Sequence, residues 1–511
     1  MNQKFNLQLR TLLAIGLSLA FLFFYNNYFI KKIPTNDINQ SIQEFQKQEN
    51  SIDIKQKLPI NKIETSEQFS LETSNFDIKF DKLARVKSFK LKQEKYLLDG
   101  EYLELIDENA PAYPLEMRFS NSAINSESFV KGYELVSNTK IDDKNKIVFK
   151  QILSDLSVTK TIIFEQSGKF DIEVTLSRPE KFFITNGIRP SARVDQLSNH
   201  GTIIGMIDNR LEIIKDGDAV NNAKFENVKF ISGFDRYYTS ILFSKNLKSV
   251  VTQSSAEEEA IPFIILDTNS MSLNGYIGPK YYDTLVNIDE GLADSIEYGF
   301  FTIIAKPMFR ALDFIHDYIG NWGWAIIILT ILIKILMFPL VYRGMMSLNR
   351  VKDIQPKLKE LQAKYKSDPK MMSQKTMQLY RTEKVNPIGG CLPMLLQIPI
   401  FFALYRVILN AVELQGAPWI LWINDLSVLD PYYVLPVLTG VTMFWQQHIS
   451  PNTISDPMQA KIMKFLPVIF TVVFLFFPAG LTLYWFVNNL LSVGQQYIIN
   501  KSYYSKKKDK R

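Results

Sequence analysis

The sequence predicts a polytopic α-helical membrane protein with six spans, joined to an all-β sandwich domain of roughly 200 residues. Residues 31–322 hold 35 Lys and Arg against 43 Asp and Glu, whereas the rest of the chain holds 23 against 9. Apolar runs of about 20 residues, enough for the ~30 Å hydrocarbon core of a bilayer, lie at the N-terminus and after residue 320. Between them, apolar and polar residues alternate, which is typical of strands.

Six segments are predicted to cross the membrane. Residues 1–32 resemble an uncleaved signal anchor because no small-residue cleavage site follows the apolar run, although a cleaved secretory signal stays an alternative. The second span is predicted at 321–342, and four more lie within 388–500. Their apolar runs are residues 388–412, 431–445, 465–477 and 481–499. The run 465–477, bounded by Pro467 and Pro478, predicts a short span and a locally thinned bilayer.

Loop charges predict the orientation. Residues 343–384 contain eleven Lys and Arg against four acids, and the tail 501–511 contains six against one. The loops at 413–430 and 478–480 contain no Lys or Arg. Basic loops stay in the cytoplasm. Both termini are therefore predicted to be cytoplasmic, with residues 31 to about 320 on the other side.

The domain outside the cytoplasm begins with a polar tether, residues 33–70, and continues as a predicted β-sandwich over residues 71–300. Phe76, Ile78 and Phe80 alternate with polar residues, and no helical periodicity of any length is visible from 76 to 285. No clustered catalytic constellation is visible either, so we expect a docking or spacing module.

Residues 301–320 predict an amphipathic helix whose apolar face holds Met308, Leu312, Ile315 and Ile319. Such a helix is expected to lie on the outer membrane surface, and packing against the sandwich is the alternative.

The sequence does not predict a disulfide, a metal site or a catalytic site. Cys391 is the only cysteine, so no intramolecular disulfide can form. The three histidines lie far apart, and no zinc-binding spacing, GxSxG motif or Gly-rich phosphate loop is present. We expect no enzyme activity, no metal and no cofactor.

Lys334 is the unusual residue of the spans. It lies about 18 Å from one interface and about 13 Å from the other, at 1.5 Å per helical residue. A charge at this depth costs on the order of 3 kcal/mol on insertion scales. Since no predicted span contains an acid, we expect a hydrated cavity; snorkelling towards the cytoplasm is the alternative. The polar and aromatic candidates around it are Thr330, Gln397, Gln447, Trp485 and Asn488.

The basic segment 343–387 predicts a cytoplasmic helical hairpin. Val351, Ile354 and Leu358 begin an apolar seam at helical spacing, and Pro369 suits the start of a second helix. Four methionines offer adaptable contact surface for clients or partner proteins. They are Met345, Met346, Met371 and Met372.

Several motifs follow one another in the helical part of the chain: Asn321-Trp-Gly-Trp324, Met337-Phe-Pro-Leu340, Gln355-Pro-Lys357, Glu383-Lys-Val-Asn-Pro-Ile-Gly-Gly-Cys-Leu-Pro393, Gln397-Ile-Pro-Ile-Phe401, Asp430-Pro-Tyr-Tyr433 and Pro478-Ala-Gly-Leu481. With these motifs the sequence resembles the Oxa/Alb/YidC family of membrane protein insertases. The segment Gly278-Pro-Lys280 is similar to a segment of the Gram-negative members of this family, which have a large periplasmic domain. Dense similarity covers about residues 300–500.

The resemblance implies a protein of the bacterial inner membrane that inserts nascent membrane proteins and helps them fold, alone or beside the Sec translocon. It also implies a five-helix core around a hydrophilic groove, with Lys334 where the family usually has arginine. Lysine keeps the charge but lacks the bidentate fork. Trp485 is the aromatic expected to face that groove.

Nascent membrane proteins, the Sec translocon and membrane lipids are the expected partners. The ribosome or targeting machinery would meet the basic hairpin and the basic tail 501–511, with no nucleic-acid sequence preference. Two other classes stay open: a polytopic transporter or channel for an anionic solute, and a scaffold for membrane complexes. The spans contain no internal repeat, which transporters usually have.

Overall fold

A computed structural model describes most of the chain beyond the tether. It covers residues 67–98, 100–191, 200–365, 368–383, 385, 392–450 and 457–508. The predicted signal anchor and nearly all of the tether lie outside the described residues. The tether was expected to reach residue 70, whereas the first strand begins at Glu67.

Two antiparallel sheets form the β domain. The smaller has the order β1-β2-β3-β5-β4 and consists of β1 (Glu67–Glu72), β2 (Phe76–Asp81), β3 (Val86–Leu91), β4 (Leu97–Leu98) and β5 (Glu101–Glu104). The larger consists of β6 (Met117–Phe119), β7 (Glu134–Ile141), β8 (Lys144–Ile152), β9 (Ser157–Phe164), β10 (Lys169–Thr185), β11 (Gly201–Met206), β12 (Leu211–Lys215), β13 (Lys224–Phe234), β14 (Tyr238–Ser254) and β15 (Ala260–Pro279). Its order is β12-β11-β13-β14-β15-β10-β9-β8-β7, and β6 pairs with β10.

The two sheets pack face to face around one apolar core. Alternate side chains of each strand point inward, as in β9, where every second residue is buried. Phe80 of the small sheet lies against Phe149 and Phe164 of the large one, at ring-centroid distances of 5.6 and 6.2 Å. This arrangement is the mostly β architecture that the alternating sequence predicts.

One helix in the β domain contradicts the expectation that no helical segment lies between 76 and 285. Helix α1 (Ser122–Val130) is capped by Asn121, whose side-chain oxygen accepts hydrogen bonds from the amides of Ala123 and Ile124. Its buried residues Ile124 and Phe129 do not follow a long helical repeat. Short capped helices of this kind leave little periodicity in a sequence.

The remaining helices follow the sheets in the sequence. They are α2 (Tyr282–Ile288), α3 (Thr302–Ile319), α4 (Trp322–Lys364), α5 (Pro369–Thr382), α6 (Leu392–Asn410), α7 (Val434–Ile449), α8 (Pro457–Phe474) and α9 (Ala479–Lys508). Helix α4 combines the predicted second span and the first arm of the hairpin in one helix, with Pro339 and Pro356 inside it. Helix α5 is the second arm.

One helix, α8, contains most of the predicted short span. Helix α8 has 18 residues and ends at Phe474, whereas the apolar run suggested residues 465–477. Pro467 lies inside the helix and does not bound it. A proline removes one backbone hydrogen bond, and packed neighbouring helices can accommodate that loss. Because Lys461 and Lys464 lie in the first half of this helix, the short apolar span and the thinned bilayer stay predictions.

Helix α3 packs against α4 and α6. Met308 and Leu312 of its predicted apolar face are buried in the core that these helices share, and the Phe309 ring lies 5.3 Å from the Tyr282 ring. Ile303 and Phe314 are exposed on the other side of the helix. Met308, Leu312 and Ile315 of the predicted face therefore contact protein, whereas Ile319, its fourth residue, is exposed.

Among the described residues, one helical stretch, Trp322–Leu361, is both long and apolar enough to cross a membrane by itself. A shorter apolar stretch covers Gln397–Asn410. The count of six spans therefore stays a prediction.

Candidate functional site

Lys334 lies on α4, where the helix packs against α9. Its side chain is half-buried, and its ammonium donates a hydrogen bond of 2.7 Å to the hydroxyl of Ser492. That hydroxyl in turn donates to the backbone carbonyl of Asn488, one helical turn earlier, at 2.7 Å. The Ser492 hydroxyl therefore accepts a hydrogen bond from the lysine, and its own proton points away from the lysine.

A third helix joins this network. Gln397 of α6 donates from Nε2 to the side-chain oxygen of Asn488 at 2.8 Å. Lys334, Ser492, Asn488 and Gln397, which we call the Lys334 cluster, thus connect α4, α9 and α6. Asn488 and Ser492 are four residues apart and share one face of α9, so the helix itself aligns them.

The charge of Lys334 is not neutralised by a carboxylate within the described part of the chain. Ser492 is the side chain to which its ammonium donates. A buried or half-buried cation with neutral partners keeps an electrostatic attraction for anionic groups that enter its surroundings. The site therefore favours a ligand with a carboxylate or another acidic group.

A pocket of about 330 Å³ opens beside Lys334. It is lined by Ile331, Lys334, Ile335, Phe338, Pro339, Leu491 and Gln495. Its walls are mostly apolar, and the ammonium and the Gln495 amide supply the polar groups. Such a pocket can hold a side chain that has an acidic end and an apolar stem.

Three buried polar atoms of α9 have no hydrogen-bond partner among the described residues: Trp485 Nε1, Asn489 Nδ2 and Gln495 Oε1. Buried donors and acceptors normally have partners, because an unsatisfied group costs about 1–3 kcal/mol. Their concentration on one helix, α9, indicates that its inward face is suited to water or to a polar segment of a ligand.

The other predicted site residues have different surroundings. Thr330 is buried and donates to the carbonyl of Ile326, so its hydroxyl is not bonded to Lys334. Trp485 packs into an aromatic cluster, 4.6 Å from the Phe401 ring and 5.4 Å from the Phe474 ring. Gln447 donates to the carbonyl of Met463 on α8 and lies outside the Lys334 cluster.

The hairpin methionines differ in exposure. Met371 is exposed on α5, and Met345, Met346 and Met372 are half-buried. The hairpin has a small core of its own, made by Val351, Ile354 and Val385. Lys357 and Glu383 connect its two arms by an ion pair of 2.6 Å.

Ser492 was missing from the sequence-based site. The signal for it was available, because it follows Asn488 by four residues in a helical segment. Its pairing with Lys334 spans 158 positions, and that register depends on how α4 and α9 pack.

Comparisons with known proteins identify the family. Residues 68–311 match the model of the YidC periplasmic domain, and residues 314–508 match the model of the 60Kd inner membrane protein. A membrane protein insertase YidC of Campylobacter jejuni is 46% identical over 520 residues, which cover 98% of each chain. The chain belongs to the YidC family of membrane protein insertases.

A second relative is similar over nearly its whole length. The membrane protein insertase YidC of Helicobacter pylori strain 26695 is 40% identical over 99% of this chain and 98% of its own. A solved structure of an active YidC insertase with its first transmembrane domain resolved is 19% identical, with a TM-score of 0.39. It covers 84% of this chain and 92% of that one.

Proposed function

We propose that this chain inserts nascent membrane proteins into the bacterial inner membrane through a hydrophilic groove centred on the Lys334 cluster. The observation that carries this proposal is a cation on α4 whose ammonium donates to Ser492, within a network of neutral groups from α9 and α6 and beside a mostly apolar pocket. Membership in the YidC family supports insertion as the activity and nascent membrane proteins as the substrates.

Exposed apolar side chains support a lipid environment for the helices. Leu336 of α4, Phe444 of α7 and Val468 of α8 are exposed by 80%, 61% and 60% of their area. Apolar surface of this kind on neighbouring helices would be unfavourable in water. With the positive-inside rule, this supports six spans, cytoplasmic termini and the β domain in the periplasm.

In this mechanism, the groove receives the polar end of a client helix part-way across the bilayer. The Lys334 ammonium attracts acidic groups of that end, and the polar atoms of α9 replace part of their hydration. The apolar stretch of the client leaves sideways into lipid, driven by hydrophobic partitioning. Any positive charge suffices for the attraction, so arginine is not required at this position.

The test exchanges Lys334 for Ala or Arg in cells depleted of the native insertase. The client is a single-span protein with an acidic translocated tail, and protease protection measures its insertion. A charge-assisted interaction of about 1.5–3 kcal/mol corresponds to a loss of about 10- to 100-fold in the Ala variant. The Arg variant should insert the client at close to the native level.

Two controls make this result specific. Lys248→Ala removes an exposed charge from the β domain, and this variant should insert the acidic client normally. A second client, with a neutral tail and the same apolar span, should be inserted normally by the Lys334→Ala variant. Equal insertion of the acidic client by the native protein and the Lys334→Ala variant would exclude the role of the charge. Uptake of an anionic solute into vesicles without any client insertion would favour the transporter class.

We also propose that the basic hairpin and tail contact the ribosome or targeting machinery, and that the protein works beside the Sec translocon for some clients. The hairpin combines many Lys and Arg with exposed Met371 and Met377. Soft apolar groups between cations suit contacts with varied partners.

A further inference from the structure

The segment between α6 and α7 enters the base of the β domain. A short helical turn, Val412–Leu414, follows α6. The Val412 side chain is 1% exposed and belongs to the sandwich core, together with residues of both sheets. An apolar side chain from the helical core is thus packed inside the β domain.

Hydrogen bonds surround this insertion on several sides. Arg236 donates from Nε to the carbonyl of Leu409 at 2.7 Å, and the Tyr238 hydroxyl donates to Oε1 of Gln415 at 2.9 Å. On another side, Asn410 donates from Nδ2 to the carbonyl of Glu297 at 2.7 Å. The junction therefore fixes the β domain by both packing and directed contacts.

The part of the β domain that receives this segment is itself rigid. In the turn 235–238, the carboxylate of Asp235 accepts hydrogen bonds from the amides of Tyr237 and Tyr238 at 2.7 and 2.6 Å. Lys280 donates to the Asp235 carbonyl at 2.8 Å. Since these groups are buried and hydrogen-bonded, Arg236 is held in place for its contact with Leu409.

Glu413 is the unusual residue of the junction. Its carboxyl group accepts a hydrogen bond of 2.9 Å from the amide of Tyr282, the first residue of α2. Within the described part of the chain no cation forms an ion pair with it. Enclosure without a paired cation disfavours a charged carboxylate, and burial raises the pKa of Glu413 to about 7, despite the hydrogen bond from Tyr282.

Charged and titratable groups face Glu413 from each packed element. They are Tyr276 of β15, Lys280 after it, Asp283 of α2, Tyr298 before α3 and Asp313 of α3. Lys280 favours the charged form of Glu413, whereas Asp283 and Asp313 oppose it. The two acids add to the effect of burial.

We propose that residues 409–415 and the turn 235–238 form a latch that holds the β domain in one orientation on α6, and that the latch closes tightly only while the Glu413 carboxyl is uncharged. Closure buries this group, and opening returns it to water. An ionised Glu413 therefore favours the open latch. The latch does not depend on the Lys334 cluster, so it can be tested separately from client insertion.

The direction of the pH dependence follows from linkage. The pKa of Glu413 is raised in the closed latch and returns towards its ordinary value of 4.5 in the open one. Its contribution to closure is complete below pH 4.5 and is lost as the pH rises through about 7. A difference of one pKa unit between the two states changes the closure constant by up to tenfold. The closure constant therefore falls on the order of 50-fold from pH 5 to pH 8.

Hydrogen exchange of the full chain in lipid nanodiscs measures this change. The reporter is the peptide with the amides of residues 281–288, with exchange rates corrected for the intrinsic effect of pH. We expect its protection factor to fall on the order of 50-fold between pH 5 and pH 8, in proportion to the closure constant. A peptide with the β10 residues 170–176 reports unfolding of the sandwich and should stay protected.

Glu413→Gln keeps the acceptor oxygen and removes the ionisation, so its reporter should stay protected over the same pH range. Glu290→Gln, an exposed residue of the same region, should follow the native profile. A native protection factor that does not change with pH would overturn the proposal. A Glu413→Gln profile that falls like the native one would overturn it as well.

Discussion

The contact between Lys334 and Ser492 determines where the ammonium lies in the cluster. Lysine has a flexible stem and three donors, so a single acceptor at 2.7 Å restricts its position substantially. Ser492 is itself fixed, because its hydroxyl donates to the Asn488 carbonyl. We therefore expect Ser492 to act through Lys334, as a positioning residue.

Ser492→Ala should lower insertion of the acidic client about 2- to 10-fold, since a typical hydrogen bond contributes about 0.5–1.5 kcal/mol. Ser492→Thr keeps the hydroxyl and should retain most of the activity. Protease protection of the client measures both, and Ser502→Ala, farther along α9, is the matched control. An Ala variant that inserts acidic and neutral clients at the native ratio would contradict the positioning role.

The sequence identified three members of the Lys334 cluster, and it did so for physical reasons. A lysine and two amides are unusual in apolar helices, so each stands out without any knowledge of the fold. Ser492 does not stand out, because serine is small and common in membrane helices. Trp485 and Gln447 were selected by type as well, but their neighbours, Phe401 and Met463, come from distant segments that a sequence does not align.

Helix boundaries were harder to predict than helix positions. The strand alternation and the apolar runs found the β domain and the helices, since both depend on local periodicity. Pro467 was taken as a boundary, yet α8 passes through it. Whether a proline ends a helix depends on neighbouring helices that supply the missing contacts, and these are not visible in a local pattern.

The contact between α7 and α8 depends on the absence of a side chain at Gly440. A Cβ atom there would lie 2.0 Å from Oγ1 of Thr471, whose hydroxyl is bonded to the Pro467 carbonyl. Gly440→Ala should therefore lower the free energy of unfolding by about 1–3 kcal/mol, the usual cost of overpacking. Thermal unfolding in detergent measures the loss.

A second-site variant and a control test the proposed clash. Thr471→Ala removes the obstructing oxygen and should restore part of the stability of the Gly440→Ala variant. Gly494→Ala on α9, where a Cβ meets open space, should be neutral or stabilise by about 0.5–1 kcal/mol. Equal effects of the two glycine substitutions would mean that the change in stability comes from helix propensity and not from the contact between the helices.

At the scale of the whole molecule, the helical core holds a large polar part at each end. The β domain is fixed at the junction around residues 409–415. At the other end, the extended parts of α4 and α9 are connected by Asn349 and Asn500, whose side chains form a hydrogen bond of 2.9 Å. The hairpin is thus an extension of a core helix, and its direction is set by where α4 contacts α9.

Asp353 makes the main contact between the extended parts of α4 and α9. Its carboxylate accepts hydrogen bonds from the Tyr503 hydroxyl at 2.7 Å and from the Lys507 ammonium at 2.6 Å. Asp353→Ala should free the hairpin, and trypsin should cleave within residues 343–384 faster than in the native protein. Partly exposed pairs of this kind contribute up to about 1 kcal/mol, so we expect up to about fivefold.

The matched control is Glu360→Ala, which removes an exposed acid from the same helix. It should leave the cleavage rate unchanged, and cleavage within the β domain should stay slow in every variant. Tyr503→Phe removes one of the two donors and should have an intermediate effect. If Asp353→Ala and Glu360→Ala are cleaved at the same rate, the hairpin is held by its own core around Val351 and Ile354 rather than by α9.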